Sequence, residues 1–85
     1  MQTFTYVIKD ELGIHARPAG LLVKEAKKFT STVTLECGGK KAAAKGLMGV
    51  MGMAVKKGNK VTVTAEGEDE AAAIEAMKAF FEANL

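Results

Sequence analysis

The sequence predicts an α+β fold: an antiparallel sheet with helices packed on one side, in the order β-α-β-β-α-β-α. Three observations carry this reading. Segments 3–8, 32–37 and 60–66 alternate apolar and polar residues, the period of a strand with one buried face. Segment 16–29 and the segment after Gly67 repeat apolar residues at helical spacing. Turn signals, Gly38-Gly39 and Lys57-Gly58-Asn59, separate strand-like segments at short intervals.

The elements follow in order. In the first strand Phe4, Tyr6 and Ile8 share one face, and a polar loop containing Gly13 follows. The first helix aligns Ala19, Leu22, Val23, Ala26 and Phe29 on one side, with Arg17, Lys24, Lys27 and Lys28 on or near the other. Pro18 lacks an N–H and is tolerated only in a helix's first turn, so this helix starts near residue 16. Val33, Leu35 and Cys37 point inward from the second strand, which makes Cys37 a buried structural thiol. Gly38-Gly39 turns the chain into a short return strand over 40–43. A short helix over 47–53 follows, with Gly46 in the cap position. In the last strand Val61, Val63 and Ala65 face inward. Asp69 is placed to cap the final helix, with Glu68 and Glu70 adding charge at the positive end of its dipole. Its apolar stripe is Ile74, Met77, Phe81 and Leu85, with Phe80 beside it.

With 85 residues the chain holds one domain, 1–85, and no interdomain linker. A domain of this size buries roughly 60–65% of the surface its unfolded chain exposes, enough for one core but not for a deep enclosed site. Hydrophobic residues at 48% and charged ones at 26% are ordinary for a folded globular domain. There is no signal-peptide pattern and no apolar run long enough to span a bilayer, and a single cysteine allows no internal disulfide. These features predict a cytoplasmic protein without membrane insertion. The net charge of +2 conceals an asymmetry: segment 12–60 has ten basic and two acidic residues, segment 61–85 one basic and six acidic. Lys24, Lys27, Lys28, Lys40, Lys41 and Lys45 suit a solvated face or the steering of an acidic partner. Nucleic acid is the weaker reading, since aromatic residues are only 6% and no RNA-binding motif interleaves with the lysines.

The catalytic repertoire is short. One histidine excludes a multi-histidine metal site, one cysteine excludes CxxC chemistry, and neither a Walker A motif nor GxGxxG is present. No metal and no cofactor is expected. What remains is Gly13-Ile14-His15-Ala16-Arg17-Pro18. A helix N-terminus offers unpaired N–H groups and partial positive charge to an anion. The N–H groups of Ala16 and Arg17 are the expected donors, and the Arg17 guanidinium matches phosphate oxygens. Both positive features disfavour the imidazolium of His15, which keeps that ring neutral and nucleophilic at neutral pH. Without such a context, a lone histidine at a helix start is an indifferent surface residue.

This stretch resembles the phosphorylation-site signature of HPr, the histidine-containing phosphocarrier of the bacterial phosphoenolpyruvate-dependent sugar phosphotransferase system. Lys45-Gly46-Leu47-Met48-Gly49-Val50-Met51 resembles the family's second motif, and Glu66-Gly67-Glu68-Asp69-Glu70-Ala71 its last strand-to-helix turn. The resemblance covers essentially the whole chain. It implies an open-faced β-sandwich, a four-stranded antiparallel sheet with three helices on one face. It further implies that His15 accepts a phosphoryl group on Nδ1 from phosphorylated enzyme I and passes it to enzyme IIA domains. Ala16 and Arg17 would steady the group, and Pro18 would fix the helix start. The chain would be a substrate and carrier rather than an enzyme.

The same resemblance suggests a docking patch of Gly20, Lys24, Lys27, Leu47, Met48 and Met51. From the residues alone, Met48 and Met51 suit core packing and an exposed patch equally, and core packing also fits Leu47 and Val50. One departure stands out. Where many relatives from low-GC Gram-positive bacteria have a regulatory serine, this chain has Gly46, which offers no hydroxyl to a kinase. His15 counts against those paralogues that regulate without carrying. The competing readings are a regulatory protein-binding module and a carrier in a nitrogen-related phosphorelay. A protein that shows one patch to successive partners is expected to be a monomer.

Overall fold

The computed structural model describes residues 1–14 and 16–85. Its elements are β1 (Gln2–Val7), α1 (Ala16–Ala26), β2 (Thr32–Cys37), β3 (Lys40–Ala43), α2 (Leu47–Gly52), β4 (Lys60–Glu66) and α3 (Glu70–Asn84), the order read from the sequence. The strands form one antiparallel sheet in the spatial order β1-β4-β2-β3.

The register explains the alternation. Phe4, Val63, Leu35 and Ala42 stand side by side across all four strands on the inner face. Thr5, Thr62, Glu36 and Lys41 form the corresponding row on the open face. Half of the strand residues there are threonine, which suits a pleated surface left in water. Val33, Leu35, Val61, Val63 and Ala65 are buried on the inner side. Helix α3 lies against β1 and β4, α2 against β3, and α1 against both other helices. The aromatic centre is Phe81, fully buried, with Phe4 and Tyr6 meeting it edge-on at centroid distances of 5.7 and 5.6 Å. The chain is thus the open-faced sandwich that the resemblance implied.

Several boundaries shift for identifiable reasons. Helix α1 ends at Ala26, short of Phe29. The Lys28 and Phe29 N–H groups bond three residues back, to Glu25 and Ala26, so the helix tightens into a final turn. Phe29 still packs against the core, half-buried. Strand β1 ends at Val7, but Ile8 stays buried and pairs with the turn before β4, donating to the Asn59 carbonyl and accepting from Gly58. Helix α2 stops at Gly52 rather than Met53, which is nevertheless buried. Cys37 faces inward but is only half-buried, because β2 ends there and the hairpin turn leaves it near the rim. Gly38 and Gly39 have φ of +56° and +84°, the pair of left-handed residues a tight hairpin turn demands.

Asp69 departs most from its expected role. It stands at the cap position of α3, yet its carboxylate makes no cap bond. Instead it accepts hydrogen bonds from the Ser31 hydroxyl and from the backbone N–H groups of Thr30 (3.0 Å) and Ser31 (2.9 Å). These bonds, led by the hydroxyl, hold its carboxyl down at about 2. Glu70 instead fixes the turn before the helix: its side chain accepts from the Gly67 N–H at 3.2 Å, while the Glu70 N–H donates to the Gly67 carbonyl at 3.3 Å. The two bonds close the β-turn that leads into α3.

Candidate functional site

The site is assembled where the β1–α1 loop meets the segment leaving α2. The loop is held from three sides. The main-chain oxygen of Leu85 accepts from Lys9 and Asp10 at 2.6 and 2.8 Å. The Asp10 side chain accepts from the Leu12 N–H at 2.9 Å, and its carbonyl from Gly13 at 3.0 Å. The Ile14 N–H donates to the Val55 carbonyl at 3.1 Å, just past α2. Gly13 makes this approach possible: it sits at φ +65°, and a Cβ there would fall 2.1 Å from the Val55 oxygen. The first residue of α1 therefore starts from an anchored platform, with Ile14 buried beneath it.

His15 lies outside the described residues. Ala16 and Arg17, the first two residues of α1, are both exposed, while Pro18 is buried. A helix leaves the N–H groups of its first turn without partners inside it, so those of Ala16 and Arg17 are available to an anion at the surface. Among the described residues Arg17 pairs with no carboxylate, which leaves its guanidinium available as well. Beside it is a shallow depression of about 230 Å³ lined by Asp10, Arg17, Pro18, Leu21 and Asn84. Among the described residues no three His, Cys, Asp or Glu side chains cluster as metal ligands would. No described helix is long and apolar enough to cross a membrane.

The suggested docking residues are on the outside. Gly20, Lys24 and Lys27 are exposed on and just past α1. On α2, Leu47 and Met51 are each 42% exposed and Met48 is 86% exposed, so neither methionine is core, whereas Val50 is fully buried. Leu21, 47% exposed, was missed by the sequence reading. Its only signal was its place off the buried stripe, one turn beyond Arg17. Gly46 caps α2 with φ −108°, a conformation open to any residue, and a Cβ there would meet only the Ala43 oxygen at 3.6 Å. Glycine is therefore not demanded at this position by the backbone.

Fold and helix start together define a class: a small open-faced sandwich presenting an anion-receptive helix N-terminus at its surface. Comparison with known proteins narrows the class. A family profile described as "PTS HPr component phosphorylation site" matches residues 2–83. The chain is 45% identical over 78 residues to the phosphocarrier protein HPr of Mycoplasma capricolum subsp. capricolum, covering 92% of this chain and 88% of that one. It is 49% identical over 73 residues to the HPr-like protein Crh of Bacillus subtilis, covering 86% of each. The crystal structure of HPr from Thermoanaerobacter tengcongensis superposes with a TM-score of 0.93 at 44% identity, covering 98% of this chain and 93% of that one. Crh has also been solved as a domain-swapped dimer, which superposes with a TM-score of 0.79 at 45% identity over 94% of this chain and 92% of that one. The chain belongs to the HPr family and is a phosphocarrier of the phosphotransferase system.

Proposed function

We propose that His15 is the phosphoryl acceptor, taking the group on Nδ1 from phosphorylated enzyme I and passing it to enzyme IIA domains of sugar permeases. The observation that carries this reading is the site motif's position: Ala16 and Arg17 begin α1 at the surface, in a chain of the HPr family. In each step one bond to phosphorus forms as the other breaks. The transferring group carries negative charge throughout, and the Ala16 and Arg17 N–H groups with the Arg17 guanidinium offset it. The chain supplies no group to activate a small phosphate donor, so it acts as substrate and carrier, with catalysis shared by the partner. Gly20, Leu21, Lys24, Lys27, Leu47, Met48 and Met51 form the docking surface. Gly46 removes kinase control at the second motif. The protein works in the cytoplasm and carries no cofactor, and a single copy suffices, although a relative's swapped dimer makes oligomeric state worth measuring by light scattering.

The test is intact-protein mass after incubation with phosphoenolpyruvate and a bacterial enzyme I at neutral pH, which preserves phosphohistidine. One phosphoryl group on the wild type and none on His15→Ala is the expected result. Phosphorylation that survives His15→Ala would move the acceptor elsewhere.

A further inference from the structure

Helix α2 carries side-chain chemistry that phosphoryl transfer does not use. Met48 is 86% exposed and Met51 42%, and Met1, just before β1, is 74% exposed, whereas Met53 and Met77 are buried; the pair on α2 is the one on the proposed docking surface. Residues three apart share a helix face, so the two exposed thioethers are neighbours. Gly52, next to Met51, has no side chain to cover the sulfur, and a Cβ there would meet nothing within 4 Å. One exposed methionine is ordinary. Two of them with Leu47 on a helix of six residues make an apolar patch held in water.

Thioether sulfur is oxidised in a two-electron step whose selectivity follows access. A sulfur lone pair attacks the terminal oxygen of a hydroperoxide, the O–O bond breaks and an S–O bond forms. With hydrogen peroxide the other oxygen leaves as water, carrying both protons. The product is a sulfoxide, a strong hydrogen-bond acceptor where an apolar, adaptable group stood.

We infer that Met48, with Met51 beside it, is a reversible oxidation site at which hydroperoxide weakens partner docking and a methionine sulfoxide reductase, drawing two electrons from a dithiol that becomes a disulfide while the oxygen leaves as water, restores it. The inference rests on the docking surface proposed above. An interface that closes over the patch buries the sulfoxide oxygen, and an unpartnered buried acceptor raises the partner concentration needed for half-saturation by about tenfold. Neither methionine is among the groups proposed to hold the phosphoryl group, so the maximal rate should change little.

The experiment treats the protein with hydrogen peroxide in steps. Oxidised residues are mapped by peptide mass, and phosphoryl transfer from enzyme I is measured at each step. Wild type and Met48→Leu/Met51→Leu are each compared with their own untreated sample, and reductase with a dithiol reductant is added last. The expected pattern is oxidation of Met48 and Met51 well before Met53 and Met77, with a roughly tenfold rise in half-saturating enzyme I that reductase reverses. The double variant should show a treated-to-untreated ratio near one. Oxidised Met48 with unchanged half-saturation overturns the inference, as does an equal loss in the double variant. If untreated protein accepts no phosphoryl group at all, the carrier reading fails and the docking consequence with it. The peptide map then still decides whether Met48 is the preferred oxidation site.

Discussion

Gly13 and Gly38 offer a matched pair that separates backbone conformation from steric contact. Both are left-handed, at φ +65° and +56°. A Cβ at Gly38 meets nothing within 4 Å, whereas one at Gly13 meets the Val55 oxygen at 2.1 Å and the Lys56 Cα at 2.7 Å. The left-handed conformation costs an L-residue about 1–2 kcal/mol, partly offset by the alanine's smaller unfolded-state entropy, so Gly38→Ala should destabilise by about 1 kcal/mol. At Gly13 the obstructing atoms are backbone and cannot swing aside. Forced displacement of packed structure adds about 1–3 kcal/mol, and loss of the Ile14–Val55 hydrogen bond about 1 more. Gly13→Ala should therefore be about 2–4 kcal/mol less stable than Gly38→Ala. At about 4–8 °C per kcal/mol for a domain of this size, the thermal midpoints should differ by more than about 8 °C. Urea unfolding followed by circular dichroism measures both. The loop that would move leads directly into α1, so Gly13→Ala should also slow phosphoryl transfer, by up to about a hundredfold for a displacement near 1 Å, under conditions where it remains folded. Gly38→Ala should transfer normally. Urea stabilities within 1 kcal/mol of each other would refute the reasoning.

Three further predictions concern the frame around the site. Ala54 has φ +52° without being glycine, so Ala54→Gly should stabilise the protein by about 0.5–1 kcal/mol, and a lower urea midpoint would contradict the strain argument. Asp69 is held at about 2 by the Ser31 hydroxyl and then by the Thr30 and Ser31 N–H groups, below its unfolded value near 3.8. A depressed acid contributes its stability above the unfolded value and loses it as pH falls toward the folded one, so Asp69→Asn should flatten the acid limb of the stability curve between about pH 4 and pH 2, and a carboxyl titration by NMR with an ordinary midpoint would count against it. Phe81→Ala removes the ring that Phe4, Tyr6 and Phe80 meet edge-on and should cost about 3–5 kcal/mol; a loss below about 2 would show that the core closes over the gap.

The elements and their inner faces were legible from local pattern. Strand and helix periods are local, and the inner side of β2, β4 and α1 was legible because a two-residue or 3.6-residue repeat states which side is apolar; only at the ends, at Cys37 and Phe29, does the burial fall short of the pattern. Pro18 set the start of α1, since no other turn of a helix accepts it without cost, and the Gly38-Gly39 pair set the hairpin. Those local signals also located the motif that led to the family. What depends on residues far apart in the chain emerged only from the packed fold. That β1 lies beside β4, joining the first strand to the last, follows from register and helix cover rather than from either segment's pattern. Asp69 has the composition of a helix cap, but Ser31 and Thr30 claim its carboxylate from nearly forty residues away. On a helix as short as α2 apolar residues occupy most positions, so periodicity could not separate Val50, which faces the core, from Met48 and Met51, which face water. Only the neighbours packed around a side chain decide that, and those neighbours are assembled by the fold.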